Sequence, residues 1–251
     1  MLTHKIFLSW LIYFVTVILI GCGLYYLNII QLAIISDHSY LTELLIGMYL
    51  LSEILSLRQS WKISKEHVLA NDVFNWLKNN EIIGIKIGDD ESVALIGKNS
   101  AHVVNQSEVS KHIVALKDMA SGRNRVNATI LLDVLESNLF KQISIVEFVA
   151  GRVVWIGILA TIFGVILAFW PFIHSGGGVD TIKLHLSEFF AAIAVAFIPT
   201  AASFVFKIAL DFGTRIISHG VDEIVTMLAR TGETKLLPIL EAEADKAKKV
   251  Q

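Results

Sequence analysis

The chain has 251 residues, 54% of them hydrophobic and 18% charged, with a mean hydropathy of +0.63. A soluble domain is roughly 45–50% apolar and about 25% charged, so the composition excludes a single water-soluble domain and points to a multi-span membrane protein with a polar middle. A net charge of −2 excludes nucleic acid as the main partner, which needs clustered Lys and Arg, and the single cysteine, Cys22, builds no disulfide or zinc framework.

The start, MLTHKIFLSW, carries few positive charges, and the apolar run after it is too long for a signal-peptide core. It predicts a retained span over about residues 6–28, with apolar character trailing to Ile35. A bilayer core of about 30 Å needs about 20 apolar residues. A second, shorter span is predicted over 40–57, where Glu43 and Glu53 interrupt it. Glu53 is an in-chain candidate for the titratable group of a proton path, but it lies five residues from Arg58, which favours an interfacial, structural carboxylate within reach of water.

Residues 58–147 are too polar to span and hold eleven Lys and Arg, beginning with Arg58, Lys62 and Lys65. The loops 36–40 and 174–183 hold only Lys183. The positive-inside rule then predicts that the polar segment and both termini are cytoplasmic, and the tail DKAKKV agrees. Within this segment, residues 64–80 read as a helix through Val68, Val73, Phe74 and Leu77. The run IIGIKIGDDESVALIG (82–97) reads as a β-hairpin around Asp89–Asp90 or as a loop. A further helix is predicted from Arg125 to Phe148, burying Ile130, Leu131, Val134 and Leu135.

The third and fourth spans are predicted over about 149–173 and 184–210, joined by the flexible turn HSGGGV. After them a helical pattern continues over 211–231 through Ile216, Ile217, Ile224 and Leu228, and Pro238 falls too late to end it. The predicted fold class is all-α with four spans and a mostly helical cytoplasmic domain. Its parts are a span pair (1–57), that domain (58–148), a span hairpin (149–210) and a cytoplasmic helix and tail (211–251).

Span three places Gly157, Thr161, Gly164 and Ala168 on one side, spaced four, three and four apart. Span four does the same with Ala192, Ala196, Thr200, Ser203 and Lys207. Small faces of this kind serve plain helix packing in membranes. Depth adds a second reading. Thr161 lies nine residues from Arg152 and Thr200 seven from Lys207, so the hydroxyls sit about 13 Å and about 11 Å from one boundary at 1.5 Å per residue. Hydroxyls at one level make a girdle for a hydrated ion, a water file or a visiting carboxyl group. Pro199 removes one intrahelical bond beside Thr200, as a tolerated kink or as part of that path. Neither span has an Asp, Glu or His near its middle, so proton conduction would need a titratable group from another chain. Trp155 and Trp170 flank span three as expected interface anchors.

Gly157-Ile-Leu-Ala-Thr161-Ile-Phe-Gly164 resembles the G-L-x-G-T-x-x-G element of the MotA/TolQ/ExbB proton-channel family, with Ala160 where a glycine is usual. LLDVLESNLFKQ (131–142) is similar to the family's cytoplasmic helix leading into that span. AVAFIPTAAS (194–203) is similar to a run A-x-A-L-x-T-T-x-x-G in the family's last span, with Pro199 for the first threonine and Ser203 for the glycine. The likeness covers about residues 130–210, and the two N-terminal spans match the flagellar-stator layout.

The resemblance implies a homopentamer in the bacterial inner membrane, around a dimer of single-span MotB/ExbD/TolR-like partners. Each partner carries one membrane aspartate. Thr161 and Thr200 would line the proton path, while Gly157, Gly164 and Ser203 would let the partner helix approach. The expected function is a proton-channel subunit of a stator-like, rotary motor driven by proton-motive force. The missing extra polar ligands favour H⁺ over Na⁺. The alternative is a non-conducting membrane scaffold. An enzyme is not expected: His67, His102 and His112 lack ligand or triad spacing, and no nucleotide signature appears. No catalytic residue, metal or cofactor is assigned.

Overall fold

The computed structural model describes residues 4–28, 30–31, 34, 41–88, 92–98, 100–121, 128–141, 143–174 and 179–242, with backbone only at 121, 171–174, 179–185, 187, 188 and 191. The predicted outer loop 36–40, the middle (175–178) of the predicted outer loop 174–183 and the tail beyond 242 lie outside these residues, while 174 and 179–183 are helical rather than loop. The chain is mostly helical. In order it forms α1 (Lys5–Tyr26), α2 (Leu41–Asn79), β1 (Ile82–Ile87), β2 (Val93–Gly97), β3 (Ala101–Val104), α3 (Glu108–Ser121), α4 (Ala128–Phe140), α5 (Ser144–His174) and α6 (Val179–Thr231).

Among the described residues three helical stretches are long and apolar enough to cross a membrane: Lys5–Tyr26, Ser144–Trp170 and Ala192–Ala242, which includes most of α6. Their mean hydropathies are 2.3, 2.5 and 2.0. This is the signature of a membrane protein. Helix α2 is not among them. Its apolar first half runs without a break into a charged second half, and the 39-residue helix has no uniformly apolar window.

The chain divides into two compact units. One takes residues 10–58 and 144–215. It joins α1 from Trp10 onward, α2 as far as Arg58, α5, and α6 as far as Arg215. Val146, Ala150 and Leu210 form a buried cluster here, with Tyr49 and Leu55 packed on it. Many large apolar side chains point outward, among them Leu19, Ile54, Phe163, Leu167 and Phe204. α1 ends where Asn28 adopts a left-handed φ of 59°, a conformation Asn tolerates better than most residues.

The other unit takes residues 1–9, 59–143 and 216–251. Its three strands form an antiparallel sheet in the order β1–β2–β3. The hairpin alternative for 82–97 is the one adopted, with Ile85 opposite Leu95 and Ile87 opposite Val93. Its expected tip, Asp89–Asp90, lies outside the described residues. The all-α expectation therefore needs correcting, because β3 extends the hairpin through Ala94–Val103 and Leu95–His102 pairs. One face of β2 is buried through Val93, Leu95 and Gly97. A Cβ at Gly97 would lie 3.1 Å from the Trp76 ring, so glycine leaves room for the α2 indole.

The interior of this unit is completed by Val109, Ile113 and Leu116 of α3 and by Ile217, Val221, Ile224 and Leu228 of α6. The last four recur at helical spacing; Ile217, Ile224 and Leu228 are those the pattern over 211–231 names, while Ile216 is only half-buried and Val221 is buried instead. Beyond α6 the backbone widens into one π-turn at Gly232–Leu236, closed by the Leu237 N–H donating to the Gly232 carbonyl.

The helix predicted over 125–148 is two helices. α4 stops at Phe140, the Ile143 N–H donates to the Phe140 carbonyl, and α5 starts at Ser144. Leu135 and Leu139 are buried, whereas Ile130 and Val134 are more than half exposed. Apolar residues occur on more than one side of ATILLDVL, and the side containing Leu135 and Leu139 is the one the core takes.

α3 is tied down at its start. Ser107 Oγ accepts from the Ser110 N–H at 3.0 Å, and Ser110 Oγ accepts from the Ser107 N–H at 2.9 Å. This is a reciprocal cap. The Glu66 carboxylate of α2 accepts from the Glu108 and Val109 N–H groups at 3.3 and 3.4 Å. Burial raises the Glu66 carboxyl above the usual range, and those two backbone donors oppose the rise.

Candidate functional site

The small-polar faces of α5 and α6 meet. Glycine at 157 is required there, because a Cβ would run into the Ser203 side chain and come within 3.1 Å of the Pro199 carbonyl. At Gly164 a Cβ would overlap the Ala196 methyl. Ala160, Ala168, Ala196 and Ser203 are all buried along this seam. Close backbone approach through small residues is how helices associate where lipid removes the hydrophobic drive.

Thr161 and Thr200, both half-buried, are hydrogen-bonded hydroxyl to hydroxyl. The Thr161 hydroxyl also reaches the Ala196 carbonyl at 2.9 Å, and the Thr200 hydroxyl reaches the Gly157 carbonyl at 2.6 Å. A longer contact, 3.5 Å, joins Thr161 to Gly157 O. Two hydroxyl protons thus face two carbonyls and each other's oxygens, so the pair has more acceptors than protons. A protonated carboxyl group or a hydronium could donate to such a pair directly. A carboxylate would require a hydroxyl to turn away from its carbonyl.

No protein-family model, curated protein or solved structure matches the chain.

The remaining predicted residues take structural places around the pair. Ser203 is fully buried and donates to the Thr200 carbonyl at 2.7 Å. Pro199 is buried inside α6 and presents its carbonyl to Gly157. In this structure the helix that takes up the space at Gly157 and Gly164 is α6 itself. Lys207, on the same face further along, pairs with Asp211 at 2.5 Å. The Trp155 and Trp170 rings are exposed.

Sequence reasoning missed one feature of this unit and misplaced another. The carbonyls of Gly157 and Ala196 belong to the site as acceptors. A small residue leaves its carbonyl open to a neighbouring helix, so the spacing held that signal. The second is Glu53. It is 4% exposed, which overturns the expectation of a carboxylate at a wet boundary. It lies on the inward face of α2, with the Tyr13 hydroxyl 3.4 Å from Oε1. The same face of α2 buries Ser52 and Ser56 in this unit, small polar groups one turn apart that mark it as a packing face.

Proposed function

We propose that the chain is a proton-channel subunit of a stator-like membrane motor. In this reading it is a multi-pass protein of the bacterial inner membrane, with the first half of α2 as a fourth span and both termini cytoplasmic. Five copies surround a dimer of single-span partners, each with one membrane aspartate. The observation that carries the reading is the hydrogen-bonded Thr161–Thr200 pair between two apolar helices.

The energetics are consistent with it. An ionised aspartate at mid-bilayer costs at least about 2.5–3.5 kcal/mol. A hydroxyl that turns from its carbonyl to donate to the aspartate lowers that cost at the pair and leaves the neutral acid preferred elsewhere. One proton moving through 100 mV releases about 2.3 kcal/mol, so several protons per cycle suffice to turn one ring against the other. The test is the pair Thr161→Val and Thr200→Val. Proton-dependent output is expected to vanish while assembly persists. Undiminished output from the double variant rules out the path.

A second reading, a non-conducting scaffold, is favoured by one observation: the hydroxyls already have partners within the α5–α6 pair. Co-purification separates the two. A single-span protein with a membrane aspartate supports the motor, and its consistent absence supports the scaffold.

A further inference from the structure

Glu53 is a second polar centre, built from residues outside the threonine pair. Its carboxyl is almost fully buried, and Oε2 has no hydrogen-bond partner among the described residues. No Lys, Arg or His among the described residues pairs with it. The groups facing it can be named helix by helix. α1 contributes the Tyr13 hydroxyl. α2 itself contributes Tyr49, one turn earlier, whose buried hydroxyl faces Glu53 and Tyr13. α6 contributes the Ala209 carbonyl and the Phe206 ring, which stacks on Tyr49 at 4.7 Å. The charged residues nearby on α6, Lys207 and Asp211, pair with each other. α5 brings only Val146 and Ala150 to the Tyr49 cluster.

Counting protons decides the state of the carboxyl. Tyr13 has one hydroxyl hydrogen. Its hydroxyl makes a short contact with the Ala209 carbonyl, which can only accept. That hydrogen is therefore spent, and the Tyr13 oxygen is left facing Glu53 Oε1 as an acceptor. An ionised carboxylate, also acceptor-only, leaves this contact without a hydrogen and a charge buried without a cation. A neutral acid closes the set: Glu53 donates to Tyr13, Tyr13 donates to Ala209, and the Tyr49 hydroxyl beside the carboxyl can donate to Oε2. Buried polar groups are satisfied in nearly all native structures, and unpaired buried charges are avoided by protonation.

We infer that Glu53, with Tyr13 and Tyr49, is a proton-binding site of this chain itself, occupied at neutral pH. The carboxylate takes one proton to become the acid, and no other bond changes. The site stands apart from the threonine pair and needs no partner subunit.

The experiment is infrared difference spectroscopy on the full chain in lipid at neutral pH, wild type against Glu53→Gln. The expected result is one protonated-carboxyl C=O stretch, shifted by deuterium exchange, that Glu53→Gln lacks. Tyr13→Phe keeps the carboxyl but removes its acceptor, and is expected to move the same band. It carries the test alone if Glu53→Gln does not fold. Loss of carboxylate bands in Glu53→Gln with an unchanged carboxyl region overturns the inference, as does a Tyr13→Phe spectrum identical to wild type. The Thr161→Val, Thr200→Val variant is expected to keep the band, so a failed proton path and a failed Glu53 site are read separately.

Discussion

The two units of this protein bury opposite kinds of residue. The unit holding α5 turns Phe163, Leu167 and Trp170 outward and keeps Ser203, Glu53 and Gly157 inside. The unit holding the sheet buries Leu95, Ile113 and Ile224, and its lysines and aspartates face out. Each follows from its surroundings. Where lipid is the solvent, apolar side chains gain nothing by hiding, so helices meet through small residues and internal hydrogen bonds. Where water is the solvent, burial of apolar area supplies most of the drive. The same substitution should therefore do different things in the two units, and mild acid should act mainly on the one that buries His112.

The largest effect expected from this contrast is the acid response of His112. Burial pushes its imidazole down to about 4 from the ordinary 6.5, against a backbone hydrogen bond to Leu131 that favours the protonated ring. The unfolded chain therefore binds a proton at a higher pH than the folded one. Stability is complete above about 6.5 and falls as the pH drops towards about 4. The loss approaches about 3 kcal/mol at the bottom of that window. Amide hydrogen exchange should show α3 and α4 opening in this range while α5 stays protected. His112→Gln should flatten the response of α3 and α4. An unchanged response in that variant would assign it to other groups.

The next effect belongs to the α5–α6 seam. Gly157→Ala places a methyl inside the Ser203 side chain and should cost about 1–3 kcal/mol, read as loss of resistance to denaturant in detergent. Gly21→Ala in α1, where nothing lies within 4 Å of the added carbon, should be neutral or slightly stabilising. Ser203→Gly, added to Gly157→Ala, removes the obstruction and should restore part of the loss. A double-mutant cycle measures that coupling. No coupling would mean that the seam is looser than the contacts imply.

The seam was legible in the sequence because helical period and small side chains together fix which side of a span faces its neighbour. Thr161 and Thr200 could be paired across 39 residues because both were counted from charged ends. Features that depend on distant partners were not legible. Glu53 finds Tyr13 forty residues away, and its own neighbours, Arg58 among them, pointed to water. β3 is four residues, AHVV, too short for an alternating pattern to stand out. The break between α4 and α5 crosses LFKQIS, which holds no glycine or proline to announce it. The buried side of α4 was misjudged for the reason that makes membrane helices easy to find: residues apolar on several sides carry little phase.

The smallest effect tests how the polar unit handles buried polarity. Glu66 sits at the N-terminus of α3 and accepts from two N–H groups that have no partner within the helix. Glu66→Gln keeps one acceptor oxygen and the side-chain volume but loses the charge that the helix N-terminus favours. The expected cost is about 1 kcal/mol, because the Ser107–Ser110 cap remains in place. Hydrogen exchange should rise at the first turn of α3 and not along β2. Ser107→Ala removes the other half of the arrangement and should cost about as much by itself. Together the two should exceed their sum, because three successive N–H groups of one turn, those of Glu108 and Val109 served by Glu66 and that of Ser110 served by Ser107, would lose their acceptors at once. Simple additivity would show that water already serves those groups, and that this end of α3 is more open than the burial of Glu66 implies.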